Sequence, residues 1–274
     1  MMKKGNKMSL SDEILEKCTL EDLERSGLKM YQLKEGFRFG TDTTLLSWFA
    51  ASFVRNTSKR IRVLELGSNC GACSLLILGR KPNTEVDSVE LMEIPYEVLK
   101  ENIRLNSLEG RLNAFRSDIR ELPSEVKEKQ YDLVVFNPPF YRKEKGSTVP
   151  SDKSVERLNG RFEENGSLDD FVKVAAQRVI PSSGYVVMVM KGNRLTDCLD
   201  AFSRAGVAPL RLMTVHSFAD RQASMILLAG KRGSKDTELR ILPPLIINQN
   251  LGGNMVLTET TRHIYYDEHD DCFI

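Results

Sequence analysis

Histidine and tryptophan are scarce in this chain of 274 residues, with three of one (His216, His263, His269) and a single Trp48. Cysteine is sparse and odd in number: Cys18, Cys70, Cys73, Cys198 and Cys272. Cys70 and Cys73 form a C-x-x-C pair, but no second pair and too few histidines accompany it to complete a zinc or redox set. The spacing reads instead as a turn holding two small residues, and no metal is expected. No apolar run approaches the ~20 residues that cross a bilayer, and residues 1–10 are basic and polar without the apolar stretch of a secretory signal. A reducing cytoplasm with free thiols and no membrane partner is expected. Net charge is also lacking: 39 basic against 38 acidic side chains leave +1, so a nucleic-acid partner would have to be met by a local patch.

What is present is alternation. A hydrophobic content of 41% in 274 residues is enough for one large α/β domain or two small ones. "SLSDEILEKCTLEDLERSG" reads as a short amphipathic helix with Ser11 or Asp12 as cap and Ile14, Leu15, Leu20 and Leu23 as apolar points. From Ile61 onward strands and helices take turns. "RIRVLELG", "EVDSVEL", "RLNAFRSD", "YDLVVFNPP" and "GYVVMVMK" are strands, and helices fall on "ACSLLILGR", "PYEVLKENIRLNS", "SLDDFVKVAAQRVI" and "NRLTDCLDAFSRAG". Ser167 is placed to cap the third of these helices and Gly206 to stop the fourth. "APLRLMTVHSF" and "ASMILLAGKRG" read as two closing strands. Continuous apolar strands between helices predict a mostly parallel sheet covered on both faces.

Chemistry-bearing residues gather at the strand ends. Glu65-x-Gly67-x-Asn69-x-Gly71 follows the first of these strands, where glycines permit close backbone approach to a ligand beside a helix N-terminus. Its spacing differs from the G-x-G-x-x-G of a nicotinamide site. Glu90 ends the second strand, 23 residues after Gly67, and fits either a ribose or a solvated strand end. Asp118 ends the third and suits an adenine amino group. Asn137 ends the fourth. Ligands of open α/β sheets bind along that edge.

Asn137-Pro138-Pro139-Phe140, together with the Glu65–Gly71 loop, resembles the class I S-adenosylmethionine-dependent amino-group methyltransferases. "MYQLKEGFRFGTDTTLLSWFA" (30–50) and the C-terminal "LPPLII", "LTET" and "IYY" are similar to the tRNA N6-adenine methyltransferases that modify the adenosine 3′ of a valine tRNA anticodon. The likeness runs from about Lys29 to Tyr266. It implies a Rossmann-like, seven-stranded, mostly parallel sheet with helices on both faces and an antiparallel final strand. The chain then divides into an arm with a short helix (1–30), a methyltransferase domain (31–234) and a C-terminal appendage packed on that domain (235–274). It implies S-adenosylmethionine as cofactor, becoming S-adenosylhomocysteine, with no metal.

An amino nitrogen conjugated to a ring is a poor nucleophile because its lone pair is delocalised. Hydrogen bonds from it to the Asn137 oxygen and the Pro138 carbonyl draw it towards sp³ geometry and restore the lone pair. Pro139 stiffens the turn and Phe140 offers a base platform. By the resemblance, Phe39, Gly40, Thr41 and Asp42 cover the cofactor, although Thr41–Ala50 also reads as a plain packing helix. The resemblance further assigns cofactor contacts to Glu65, Gly67, Asn69, Gly71, Glu90, Asp118, Ile119 and Asn137. Substrate contacts fall on Phe140, Tyr141, Arg142, Lys143 and Lys145. Residues 142–162 hold six basic and three acidic side chains among those weighed, which suits either phosphate binding or a solvated loop.

The expected partner is a tRNA loop with a flipped adenine, with no obligate protein partner. Two departures from the family pattern stand out. Asn69 occupies a usual glycine position, and "GRFEENGS" (160–167) lies where a more basic segment is expected. Other acceptors of the same chemistry (a ribosomal RNA or DNA base, a protein glutamine) and a non-catalytic cofactor-binding scaffold are the alternatives.

Overall fold

The computed structural model describes residues 10–35, 38–55, 58–139, 166–235 and 238–266. The strand run begins at β3 (Ile61–Leu66) and continues through β4 (Thr84–Glu90), β5 (Leu112–Arg116), β6 (Leu133–Phe136), β7 (Tyr185–Lys191), β8 (Val207–His216) and β9 (Ala223–Arg232). These seven lie side by side in the order β8-β9-β7-β6-β3-β4-β5, with β9 antiparallel to both neighbours and the other pairs parallel. This is the expected seven-stranded sheet. Two further strands of two residues each, β10 (Arg240–Ile241) and β11 (Leu245–Ile246), pair parallel with β8 and extend the sheet to nine.

The apolar runs are explained by burial on both faces. Along β6, Leu133 and Val135 face one core with Val63, Val86 and Val187, while Val134 and Phe136 face the other with Leu64, Leu66 and Met188. The period of two thus distributes one continuous run between two cores. Helices α2 (Thr41–Ala51), α3 (Ala72–Arg80) and α4 (Glu93–Leu105) supply the first core, and α6 (Leu168–Arg178) and α7 (Leu195–Arg204) the second. The short α5 (Ser124–Lys127) adds Val126 to the second core. Ser167 caps α6 in a capping box with Asp170, as its sequence predicts.

Within the sheet, buried Asp87 of β4 accepts from the Tyr131 hydroxyl at 2.8 Å, Lys129 Nζ at 2.7 Å and Asn113 Nδ2 at 2.8 Å. Three donors are what a carboxylate needs to remain in such a place.

The N-terminal segment differs from the expected single helix. Only α1 (Leu10–Leu15) is helical, and β1 (Cys18–Asp22) then pairs antiparallel with β2 (Lys29–Leu33). Leu20, read as an apolar helix point, is 52% exposed on β1. Strand pairing with a segment several residues downstream overrides the local helical spacing. At the other end, β12 (Asn248–Leu251) and β13 (Asn254–Leu257) form a hairpin, and α8 (Glu259–Tyr266) returns to the α2 face. Arg25, 1% exposed, and Arg80 both donate to the Ile264 carbonyl of α8, at 2.9 and 2.6 Å. Cations suit a helix C-terminus.

Candidate active site

Register brings the strand ends together. Leu66 lies opposite both Val89 and Phe136, so Gly67, Glu90 and Asn137 follow at one edge, across neighbouring strands about 4.8 Å apart. Above them opens a cleft lined by Phe39, Glu65, Gly67, Asn69, Asn137, Pro138 and Pro139 among the expected residues, while Gly71 and Glu90 stand behind that lining. Met30, Gln32, Thr43, Ser68, Cys70, Ala72 and Cys73 line it as well, and sequence reasoning assigned none of these to a ligand. The alternation of Met30 and Gln32 about Tyr31 was the available signal. Both point inward from β2, and Gln32 Oε1 accepts from Phe39 N at 2.9 Å, holding the Phe39 segment against the hairpin.

The floor is a turn of alternating left-handed backbone: Gly67 at φ +69°, Asn69 at +50° and Gly71 at +88°. Asparagine tolerates this region better than most residues. Here it is held further, with Asn69 Oδ1 accepting from Cys70 N at 2.6 Å. Gly71 is constrained twice, by φ +88° and because a Cβ there would lie 2.4 Å from Leu99 Cδ1, so that the buried leucine would have to shift.

Two buried carboxylates flank this turn. Glu65 accepts from both the backbone N–H and the hydroxyl of Ser74. Burial pushes its carboxyl up to about 8, a rise that Ser74 tempers and neighbouring Glu90 increases. Glu90 Oε2 accepts from Asn69 N at 2.7 Å and its Oε1 from Met92 N at 2.8 Å. Burial raises its carboxyl too, opposed by those backbone donors. Each oxygen has a second lone pair, so Glu90 braces the turn while retaining capacity for ribose hydroxyls. Cys70 and Cys73 are free and buried, and burial pushes the Cys70 thiol up to about 12.

Asn137 is the most informative group. Its Nδ2 donates to Asp42 Oδ2 at 3.0 Å, while Asp42 Oδ1 accepts from Thr43 N at 2.8 Å. A carboxylate only accepts, so Asp42 forces the NH₂ of the amide toward itself and turns Oδ1 the other way. That Oδ1 is buried with no hydrogen-bond partner among the described residues, as is Ser68 Oγ on the cleft wall. Buried polar atoms without a partner are rare, and both of these belong to residues that line the cleft. Gly40, Thr41 and Asp42 open α2, and none of the three is part of the cleft lining.

Asp118 and Ile119 follow β5 on the same sheet edge and, like Gly71 and Glu90, are not part of the cleft lining. Both Asp118 oxygens are engaged by Arg120, which holds the carboxyl below its usual range, and Ile119 packs in the second core. The substrate residues Phe140, Tyr141, Arg142, Lys143 and Lys145, and residues 160–165 of the second departure, lie outside the described residues.

Among the described residues no group of His, Cys, Asp and Glu is arranged to hold a metal, and no helix is long and apolar enough to cross a membrane. An open α/β sheet with its seventh strand inserted antiparallel, and a glycine turn facing an Asn-Pro-Pro edge, defines a class I methyltransferase fold. A predicted O-methyltransferase from Agrobacterium tumefaciens has the same fold, with a TM-score of 0.62 at 16% identity over 83% of this chain and 96% of that one. Residues 41–191 match the methyltransferase small domain family, and the chain belongs to it. It is an S-adenosylmethionine-dependent methyltransferase. It is 25% identical over 240 residues to the tRNA1(Val) (adenine(37)-N6)-methyltransferase of Flavobacterium johnsoniae, covering 88% of this chain and 92% of that one. It is 23% identical over 238 residues to the enzyme of that name from Flavobacterium psychrophilum, covering 87% and 91%.

Proposed function

We propose that this protein methylates the N6 amino nitrogen of an adenine in a tRNA anticodon loop, in the cytoplasm. The observation that carries the amino-group chemistry is the buried Asn137 Oδ1, left without a hydrogen-bond partner among the described residues while Asp42 takes the amide's NH₂. The tRNA substrate is drawn from the names of the relatives, which align with this chain over about nine-tenths of their length.

The residues fit the cofactor. The floor of the cleft is a turn whose left-handed residues expose backbone to a ligand. Ser68, whose hydroxyl has no hydrogen-bond partner among the described residues, lies on the cleft wall. S-adenosylmethionine, when bound, provides the electrophilic methyl group. Gly67 to Gly71 would cradle it, with Glu90 toward its ribose and Phe39 over the top.

The chain's remaining task is to prepare the acceptor. Asn137 Oδ1 and the Pro138 carbonyl accept the two amino hydrogens, pyramidalise the nitrogen and fix its direction. Pro138 and Pro139 bring no backbone N–H to compete for those acceptors. An amide has no acid–base capacity near neutral pH, so the proton released after transfer goes to water. Phe140 and Tyr141 are proposed to stack on the flipped base, and Arg142, Lys143 and Lys145 to meet phosphate.

The test is incubation with methyl-labelled cofactor and separated tRNA, ribosomal RNA, DNA and protein pools, followed by nucleoside mass spectrometry. Label in tRNA as N6-methyladenosine is expected, and label confined to DNA or protein would overturn the reading. Asn137→Ala should lower transfer about 10²–10³-fold while cofactor binding persists, as for the loss of other preorganised polar contacts to a transition state.

A further inference from the structure

We infer that Asn102 is a positioning residue for the cofactor turn, clamping it to the hairpin that walls the cleft. This deepens the methyltransferase reading and rests on it. Asn102 lies on α4, fully buried. Its Oδ1 accepts from Tyr31 N at 2.6 Å, and its Nδ2 donates to Tyr31 O at 2.9 Å and to Cys70 O at 2.9 Å. Both amide hydrogens and the oxygen are therefore used, on two segments far apart in sequence.

One turn further along α4, Asn106 treats Lys29 in the same way. It accepts from Lys29 N at 2.9 Å and donates to Lys29 O at 2.7 Å. Four helical residues rise about 6 Å and two strand residues about 6.7 Å, so the two asparagines match the free edge of β2 like a neighbouring strand. Only Asn102 also reaches the glycine turn. With Leu99 pressing on Gly71 and Asn102 holding the Cys70 carbonyl, α4 fixes the part of the turn between Asn69 and Gly71. The same amide sets Met30 and Gln32 at their places in the cleft wall through Tyr31. Asn102 touches no reacting atom and acts through these two segments.

The two asparagines separate clamp from hairpin. Asn102→Ala is compared with Asn106→Ala, and Asn102→Ser, which retains one hydroxyl donor, replaces the alanine variant should that not fold. Two readouts are taken: S-adenosylmethionine affinity by calorimetry, and amide exchange of residues 67–74 in ligand-free protein. Expected are an affinity loss of about tenfold or more and faster exchange in the Asn102 variant, with Asn106→Ala like wild type in both. Unchanged affinity and exchange in the Asn102 variant, or equal changes in both variants, would overturn the inference. Failure of the wild type to bind the cofactor would sink the methyltransferase reading instead, and exchange in the ligand-free protein would still decide the clamp.

Discussion

Replacing Glu65 by Gln is expected to stabilise the protein relative to wild type by an amount that grows with pH. Glu65 is 5% exposed, and its carboxyl is lifted by burial from its ordinary 4.5 to about 8. In the unfolded chain that carboxyl ionises near 4.5, while in the fold it keeps its proton to about 8. Between those values the folded state binds more protons, so this group's contribution to stability falls as pH rises. At 1.36 kcal/mol per pH unit, the interval from 4.5 to 7 amounts to about 3 kcal/mol. Below pH 4 the effect vanishes.

Glutamine does not titrate, and its side-chain oxygen can accept from Ser74 as the carboxyl does. Its new amide hydrogens cost about 1 kcal/mol if unpaired, the same at every pH. Glu90 titrates in both proteins, so its own contribution largely cancels in the difference. Urea unfolding of the two proteins at pH 4, 5.5, 7 and 8 gives the test. The difference in unfolding free energy should rise by about 3 kcal/mol in favour of the variant between pH 4 and 7. A difference that stays flat with pH would show that Glu65 is ionised in the fold and would refute the reasoning.

Asp42→Ala frees the Asn137 amide to rotate, and the lost charge-assisted bond corresponds to about a 10–100-fold fall in single-turnover rate; an unchanged rate would mean that the amide is held otherwise. Gly71→Ala forces a Cβ against Leu99 at φ +88° and should cost about 2–3 kcal/mol in thermal unfolding, whereas a loss below about 0.5 kcal/mol would mean that the turn adapts. Asp87→Ala strands the Tyr131 hydroxyl and Lys129, with about 2–4 kcal/mol lost by urea titration after allowing for the partial exposure of Lys129; a near-neutral result would mean that water replaces the carboxylate.

The central sheet was legible because its strands obey a local rule. "LVVF" is apolar at every position, which only two-sided burial permits, and a strand end followed by Asn-Pro-Pro places the amide without further information. Glu65, Glu90 and the glycine turn were readable for the same reason. Met30 and Gln32 were not, because β2 exists through pairing with β1 and through Asn102 and Asn106 some seventy residues later. Ser68 and Thr43 are ordinary hydroxyls until tertiary packing buries one and turns the other to the cleft. Asp118 illustrates the converse. Its strand-end position was legible, but its pairing with Arg120 two residues on is a contact that the position alone does not announce.

Arg25 and Arg80 meeting at the Ile264 carbonyl gives the chain a timetable. Arg25 is made early and its helix acceptor 239 residues later, an interval of about 10–50 s at ordinary rates of synthesis. Until then the bond that ties the N-terminal hairpin to α8 cannot form. A chain cut before Ile264 lacks the carbonyl on which Arg25 and Arg80 converge, and so lacks this tie between the N-terminal hairpin, α3 and α8.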